Sequence, residues 1–182
     1  MNLRLALAER FLPLPFRKRE LLSLFELTAE AFEAPLPALK GKTFDEMLGA
    51  YARWTNEQAA RTAEDESRAA AARARLRDLA FAYGGRIRKR LGLRTRRQAA
   101  RAGRLLYRLI RIDFQETEAG EILVRRCYFS RIYAPQTCAL MAGLDEGILA
   151  GLSGGGRLEF SSRITENDLA CRGRFTFPED LL

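Results

Sequence analysis

The sequence predicts an α+β fold, in which a helical N-terminal half packs on an antiparallel sheet of two hairpins linked by a helix. Three observations carry that prediction. Apolar residues recur at three-to-four spacing through most of residues 1–109, and from about Ile110 the period drops to two. A segment rich in Ala, Gly, Met and Leu, opened by Pro135 and closed by Ser153-Gly154-Gly155-Gly156, separates two such alternating regions. The 182 residues suit a single domain, 1–182, mainly helical over 1–109 and hairpin–helix–hairpin over 110–177.

The elements follow in order. Leu21, Phe25, Thr28, Ala29 and Phe32 mark an amphipathic helix over 17–33, which Pro35 and Pro37 close. Thr43 followed by Glu46 makes a capping box, and its helix runs through Met47, Leu48, Tyr51 and Trp54 into an Ala- and Arg-rich stretch. That stretch is expected to end or kink at Gly84-Gly85, leaving a separate helical piece from Arg86 to Leu91 that stops at Gly92. Thr95 with Gln98 starts another helix, carrying the stripe Ala99, Ala102, Leu106, Leu109 and Ile110.

Next come a strand from about Ile110 to Thr117, a turn at Glu118-Ala119-Gly120 and a strand from Glu121 to Cys127. The helix of Pro135 to about Leu152 follows. In the second hairpin Leu158, Phe160, Ser162 and Ile164 alternate, Glu166-Asn167-Asp168 turns, and Leu169, Cys171, Gly173, Phe175 and Phe177 alternate back.

Composition excludes several function classes. The chain has no histidine, which removes Ser/His and Cys/His catalytic pairs and every histidine-containing metal site. Its three cysteines include no CxxC pair, which speaks against a secreted disulfide framework and for reduced thiols in the cytoplasm. Charges and prolines interrupt the leucine-rich segment 1–16, and no stretch is long and apolar enough for a span, so no membrane partner is expected. The net charge of +8 is mostly arginine: 31 basic residues less Lys18, Lys40, Lys42 and Lys89 leaves 27.

Residues 86–111 hold eleven basic residues and no acid, the natural place for nucleic-acid binding. Only Tyr83 and Tyr107 are nearby aromatics and no nucleic-acid motif is present, so a solvated helix face is preferred. Three thiolates with Asp145 would number enough ligands for zinc, but without a short CxxC step no metal is expected, and no cofactor. Homo-oligomerisation stays open.

The chemistry-bearing residues lie in the last third. Cys138 and Asp145 are seven residues apart, which puts them on one helix face two turns apart. Cys127 ends the strand before that helix, and Cys171 lies on the apolar face of the last strand, so all three thiols can meet beneath it. Each cysteine alone also reads as a small packed hydrophobe. An acid on an inward helix face, by contrast, needs a partner or a ligand. If the strand is regular, Arg125 shares a face with Cys127 and would lower its thiol pKa.

The run Cys127-Tyr128-Phe129, then Cys138, Leu144-Asp145-Glu146, Leu158-Glu159-Phe160 and Asn167-Asp168-Leu169-Ala170-Cys171 followed by aromatics resembles the C-terminal region of the L-2-amino-thiazoline-4-carboxylic acid hydrolase family. The segment from Tyr51 to Gly92 is similar as well, and the likeness covers about residues 43–177. It implies a hydrolase that opens a small cyclic amidine, or a related C–N bond, on an amino-acid-derived carboxylate. Cys127, Cys138 and Asp145 are then the catalytic candidates, and Arg125, Glu146 and Cys171 the substrate-binding ones. Two schemes stay open: attack by a thiolate, or activation of water by Asp145 or Glu146 with the cysteines lining the pocket. A noncatalytic small-molecule-binding or sensor domain of vinyl-reductase-like type is the alternative.

Overall fold

A computed structural model describes residues 2–11, 13–117 and 119–179. The helices are α1 (Leu3–Arg10), α2 (Leu14–Phe32), α3 (Phe44–Thr62), α4 (Glu66–Leu91), α5 (Arg96–Leu109) and α6 (Pro135–Ser153). The strands are β1 (Ile112–Glu116), β2 (Glu121–Cys127), β3 (Arg157–Ser162) and β4 (Cys171–Thr176), with short 3₁₀ turns at Phe129–Arg131 and Ile164–Glu166. They form one antiparallel sheet in the order β1-β2-β4-β3, with α6 connecting the two hairpins. Among the described residues, no helix is long and apolar enough to cross a membrane.

Local chemistry explains most of the boundaries. Thr43 and Glu46 form the reciprocal capping box of α3, and the Thr95 hydroxyl accepts from the Gln98 N–H at the start of α5. Gly92 and Gly154 take the left-handed conformation that ends α4 and α6, with φ of 63° and 86°. The expected turn residue Glu118 lies outside the described residues. Leu169 is fully exposed, so the last strand begins at Cys171 rather than at Leu169, and Ile164 belongs to a 3₁₀ turn rather than to β3.

The Ala/Arg-rich stretch corrects the sequence reading twice. It breaks at 63–65, where Asp65 caps a new helix through the Arg68 N–H, and it does not break at Gly84-Gly85. α4 runs straight through that pair, because Gly84 is a contact point rather than a helix breaker. A Cβ there would come within 2.5 Å of the Ile148 carbonyl oxygen of α6. The facing glycines of α6 behave alike: a Cβ on Gly143, Gly147 or Gly151 would lie 2.6, 2.2 or 2.3 Å from the carbonyl oxygens of Arg73, Arg77 and Phe81. Three glycines at four-residue spacing thus form a groove in which the α4 backbone lies directly on that of α6.

This contact fixes the rotation of α6. At about 100° per residue, Cys138, Met141 and Asp145 fall on the side of the helix away from Gly143, Gly147 and Gly151. The core continues from α6 to the sheet through Phe114, Ile122, Val124, Leu158 and Phe175, and to α2 and α3 through Phe25, Leu48 and Tyr51. The other sheet face is charged, and carries the cross-strand row Glu121, Arg174 and Glu159.

Two glycine substitutions separate these roles. Gly147→Ala overpacks the helix contact and is expected to destabilise by about 1–3 kcal/mol. Gly85→Ala meets nothing within 4 Å and is expected to stabilise by up to about 1 kcal/mol through helix propensity. Urea melts of both variants check this, and equal effects of the same sign would contradict the packing account.

Candidate functional site

The site lies between α6, β2, β4, the 3₁₀ turns and the inner face of α5. Asp145 is half-buried as a residue, with its carboxylate turned into the protein. Tyr107 of α5 donates its phenol to Asp145 Oδ1 at 2.7 Å, and the Tyr107 ring stacks on Phe114 at 4.4 Å between centroids. Asp145 forms no ion pair among the described residues. Burial pushes its carboxyl up to about 6, opposed by the Tyr107 hydrogen bond and reinforced by the charge of neighbouring Glu146.

The three thiols are within electrostatic reach of that carboxylate. Burial pushes Cys127 up to about 12, and it also raises Cys138 and Cys171. The negative charge of Asp145 raises all three further. Cys171 Sγ accepts from the Ile164 N–H at 3.4 Å, and Ser130 donates to the Cys127 carbonyl oxygen at 2.8 Å. Tyr133 and Thr55 share a hydrogen bond of 2.6 Å between hydroxyls on the α3 side. Among the described residues, no three cysteine or acidic side chains are placed to share a metal ion.

Arg125 stands differently from its expected position. Ile112 pairs with Cys127 and Phe114 with Val124, so two steps on β1 match three on β2 and the extra residue falls within Arg125-Arg126. This bulge leaves both arginines exposed and returns Cys127 to the face that packs on the core. Arg125 therefore does not activate the Cys127 thiol, which burial keeps protonated. It does help line a cleft of about 590 Å³, with Arg111, Arg126 and Arg131 around it and Cys127, Ile132 and Ile164 on its apolar wall.

Glu146 lies apart from this cleft. It pairs with Arg73 of α4 at 2.5 Å and lines a separate cleft of about 890 Å³. Arg163 borders that second cleft, holds Glu166 at 3.2 Å and has a buried Nε with no hydrogen-bond partner. Its positive charge acts on Asp145, Cys138 and Cys171.

The structure thus brings Cys127, Cys138 and Cys171 within electrostatic reach of the buried Asp145 carboxylate, places Arg125 with Cys127 on the lining of a neighbouring cleft, and leaves Glu146 in an ion pair elsewhere. Sequence reasoning missed Tyr107 and Arg163. Tyr107 sits inside an apolar helical stripe, and its polar tip is the only signal that it serves more than packing. Comparison with family models, with curated proteins and with solved structures finds no match to this chain.

Asp145→Asn tests the electrostatics of the pocket, since Asn keeps an acceptor for Tyr107 and removes the charge. A carboxyl ionising near 6 in the fold and near about 3.9 in the unfolded chain is bound more tightly to its proton when folded. Its stabilising contribution is full below about pH 4 and is lost as pH rises through about 6. The variant is therefore expected to melt higher than wild type at about pH 8, by about 1–3 kcal/mol, with the gap closing toward about pH 4. Thermal melts across that range read this directly, and a variant that melts lower at pH 8 speaks against a strained carboxylate.

Proposed function

We propose that this pocket hydrolyses a C–N bond of a small cyclic amidine bearing a carboxylate, with Asp145 as the general base that activates water. The observation that carries this reading is Asp145 itself: a carboxylate inside the protein, held by one phenol and pushed up to about 6. A base poised near neutral pH is what proton abstraction from water requires. Of the two schemes left open by the sequence, burial of all three thiols favours water over a thiolate nucleophile.

The same reading gives the arginines a task. Arg111, Arg125, Arg126 and Arg131 surround the cleft beside Cys127 and suit a substrate carboxylate. In this scheme water adds to the amidine carbon as Asp145 takes its proton. The protonated carboxyl then returns that proton to the departing ring nitrogen as the C–N bond breaks, and the hydroxyl proton of the adduct passes to the same amine as the C=O bond forms. The resemblance of residues 43–177 to the L-2-amino-thiazoline-4-carboxylic acid hydrolase family suggests this substrate class. Three free thiols fit a reducing compartment such as the cytoplasm.

The same burial also suits a second reading, a noncatalytic small-molecule-binding domain, because it leaves no thiolate nucleophile and only water activated by Asp145 to do chemistry. Turnover of 2-aminothiazoline-4-carboxylate and close analogues separates the two. Asp145→Asn is expected to lower turnover by several orders of magnitude, whereas Cys127→Ser and Cys138→Ser keep most of it. Arg125→Gln should raise KM by about tenfold with little change in kcat. In wild type, kcat/KM should fall as pH drops below about 6, because the base becomes protonated. If wild type turns over nothing while a member of the panel raises its melting temperature, the binding-domain reading replaces hydrolysis.

A further inference from the structure

The first helix carries an apolar surface that no other described residue covers. Leu3 is 72% exposed, Leu7 66% and Phe11, which follows α1 directly, 70%; Leu14 at the start of α2 is 52% exposed. These make up half of the eight large hydrophobic side chains exposed among the described residues, gathered within twelve positions. Single exposed leucines need no explanation, but a grouped set on one helix face does.

The geometry of α1 gives this surface an edge. At about 100° per residue, Leu3 and Leu7 lie between Arg4 and Arg10 on the outward face. Leu5, with 0% exposure, points the opposite way into the core. The helix is pinned from its inner side by polar bonds: Asn2 donates to the Leu91 and Gly92 carbonyl oxygens at 2.8 and 3.1 Å, and Glu9 is held by both Arg101 side-chain donors. Arg108 donates to the Glu9 carbonyl oxygen, and Arg4 to that of Arg90 at 3.3 Å. α1 therefore sits beside Arg90, Arg101 and Arg108 of the basic stretch 86–111.

We propose that α1 and the residues just after it form a docking surface for an anionic membrane. Leu3, Leu7 and Phe11 enter the boundary between headgroups and acyl chains, and Arg4 and Arg10 pair with lipid phosphates. Exposed leucines and a phenylalanine flanked by arginines on a short surface helix give the two contacts an anionic bilayer surface takes, apolar burial at the headgroup boundary and charge pairing with phosphates. Such docking needs no membrane span; the expectation of no membrane partner rested on the absence of one and on the charges and prolines that interrupt residues 1–16, and two of those charges, Arg4 and Arg10, border the exposed face. A second copy of the chain fits this face worse, because two molecules of net charge +8 would bring their arginine rims together. A nucleic acid would leave the leucines in water. The surface is independent of the Asp145 pocket, and neither proposal needs the other.

Co-sedimentation of the full chain with phosphatidylcholine vesicles, with and without one-third phosphatidylglycerol, tests this. Sedimentation velocity without lipid runs alongside. The chain is expected to pellet with the anionic vesicles, to stay in solution with the neutral ones, and to sediment as a monomer alone. The exposed double variant Leu7→Glu with Phe11→Glu should keep its melting temperature and lose vesicle binding. Arg4→Gln and Arg10→Gln should each weaken partitioning by about fivefold at low salt. Anionic-vesicle binding that survives Leu7→Glu with Phe11→Glu would assign it to net charge alone and overturn the proposal. So would absence of vesicle binding, or a dimer that the same double variant dissolves.

Discussion

The backbone of α6 lies directly on that of α4, and the pocket depends on that contact. Gly143, Gly147 and Gly151 present no side chain to the carbonyls of Arg73, Arg77 and Phe81, and Gly84 returns the favour toward Ile148. Close-packed interiors tolerate little rotation of such a pair. Once the glycine face is committed to α4, Cys138 and Asp145 have no direction left except toward α5 and the sheet. There the Tyr107 phenol, stacked on Phe114, meets the carboxylate.

A comparison within the molecule shows what is unusual about Asp145. Glu20, 4% exposed, is another acid drawn into the interior, yet it receives both the Tyr83 phenol at 2.7 Å and the Arg90 guanidinium at 3.0 Å. That is how a buried carboxylate is made comfortable: a hydrogen bond and a charge. Glu116, like Asp145, has no ion pair among the described residues and is pushed up by burial to about 7. Asp145 receives the phenol without the ion pair, and its nearest positive influence, Arg163, acts from outside hydrogen-bonding distance. An acid left partly unsatisfied costs stability, and such strain is commonly kept where a site needs it.

What the sequence revealed depended on range. The capping box at Thr43 and Glu46 and the shared face of Cys138 and Asp145 were legible because both rest on spacings within one helix. The change of period near Ile110 disclosed the sheet for the same reason. Gly84-Gly85 was misread as a break because glycine weakens an isolated helix, and only the α6 carbonyls reveal why it is there. The bulge at Arg125-Arg126 follows from pairing with β1 and could not be seen in alternation alone, so Arg125 was assigned to the wrong face. Tyr107 lies 38 residues from its partner, and no local pattern links a phenol in an apolar stripe to an acid on another helix.

The central claim is that the fold holds Asp145 as a carboxylic acid that ionises near neutral pH. Carbon-13 NMR titration of its side-chain carboxyl reads this without reference to any substrate. A midpoint near 6 in wild type, moving upward in Tyr107→Phe as the stabilising phenol is lost, is the expected result. A midpoint at or below about 4, unmoved by Tyr107→Phe, would contradict the account, because an ordinary solvated aspartate has no need of the pocket built around it.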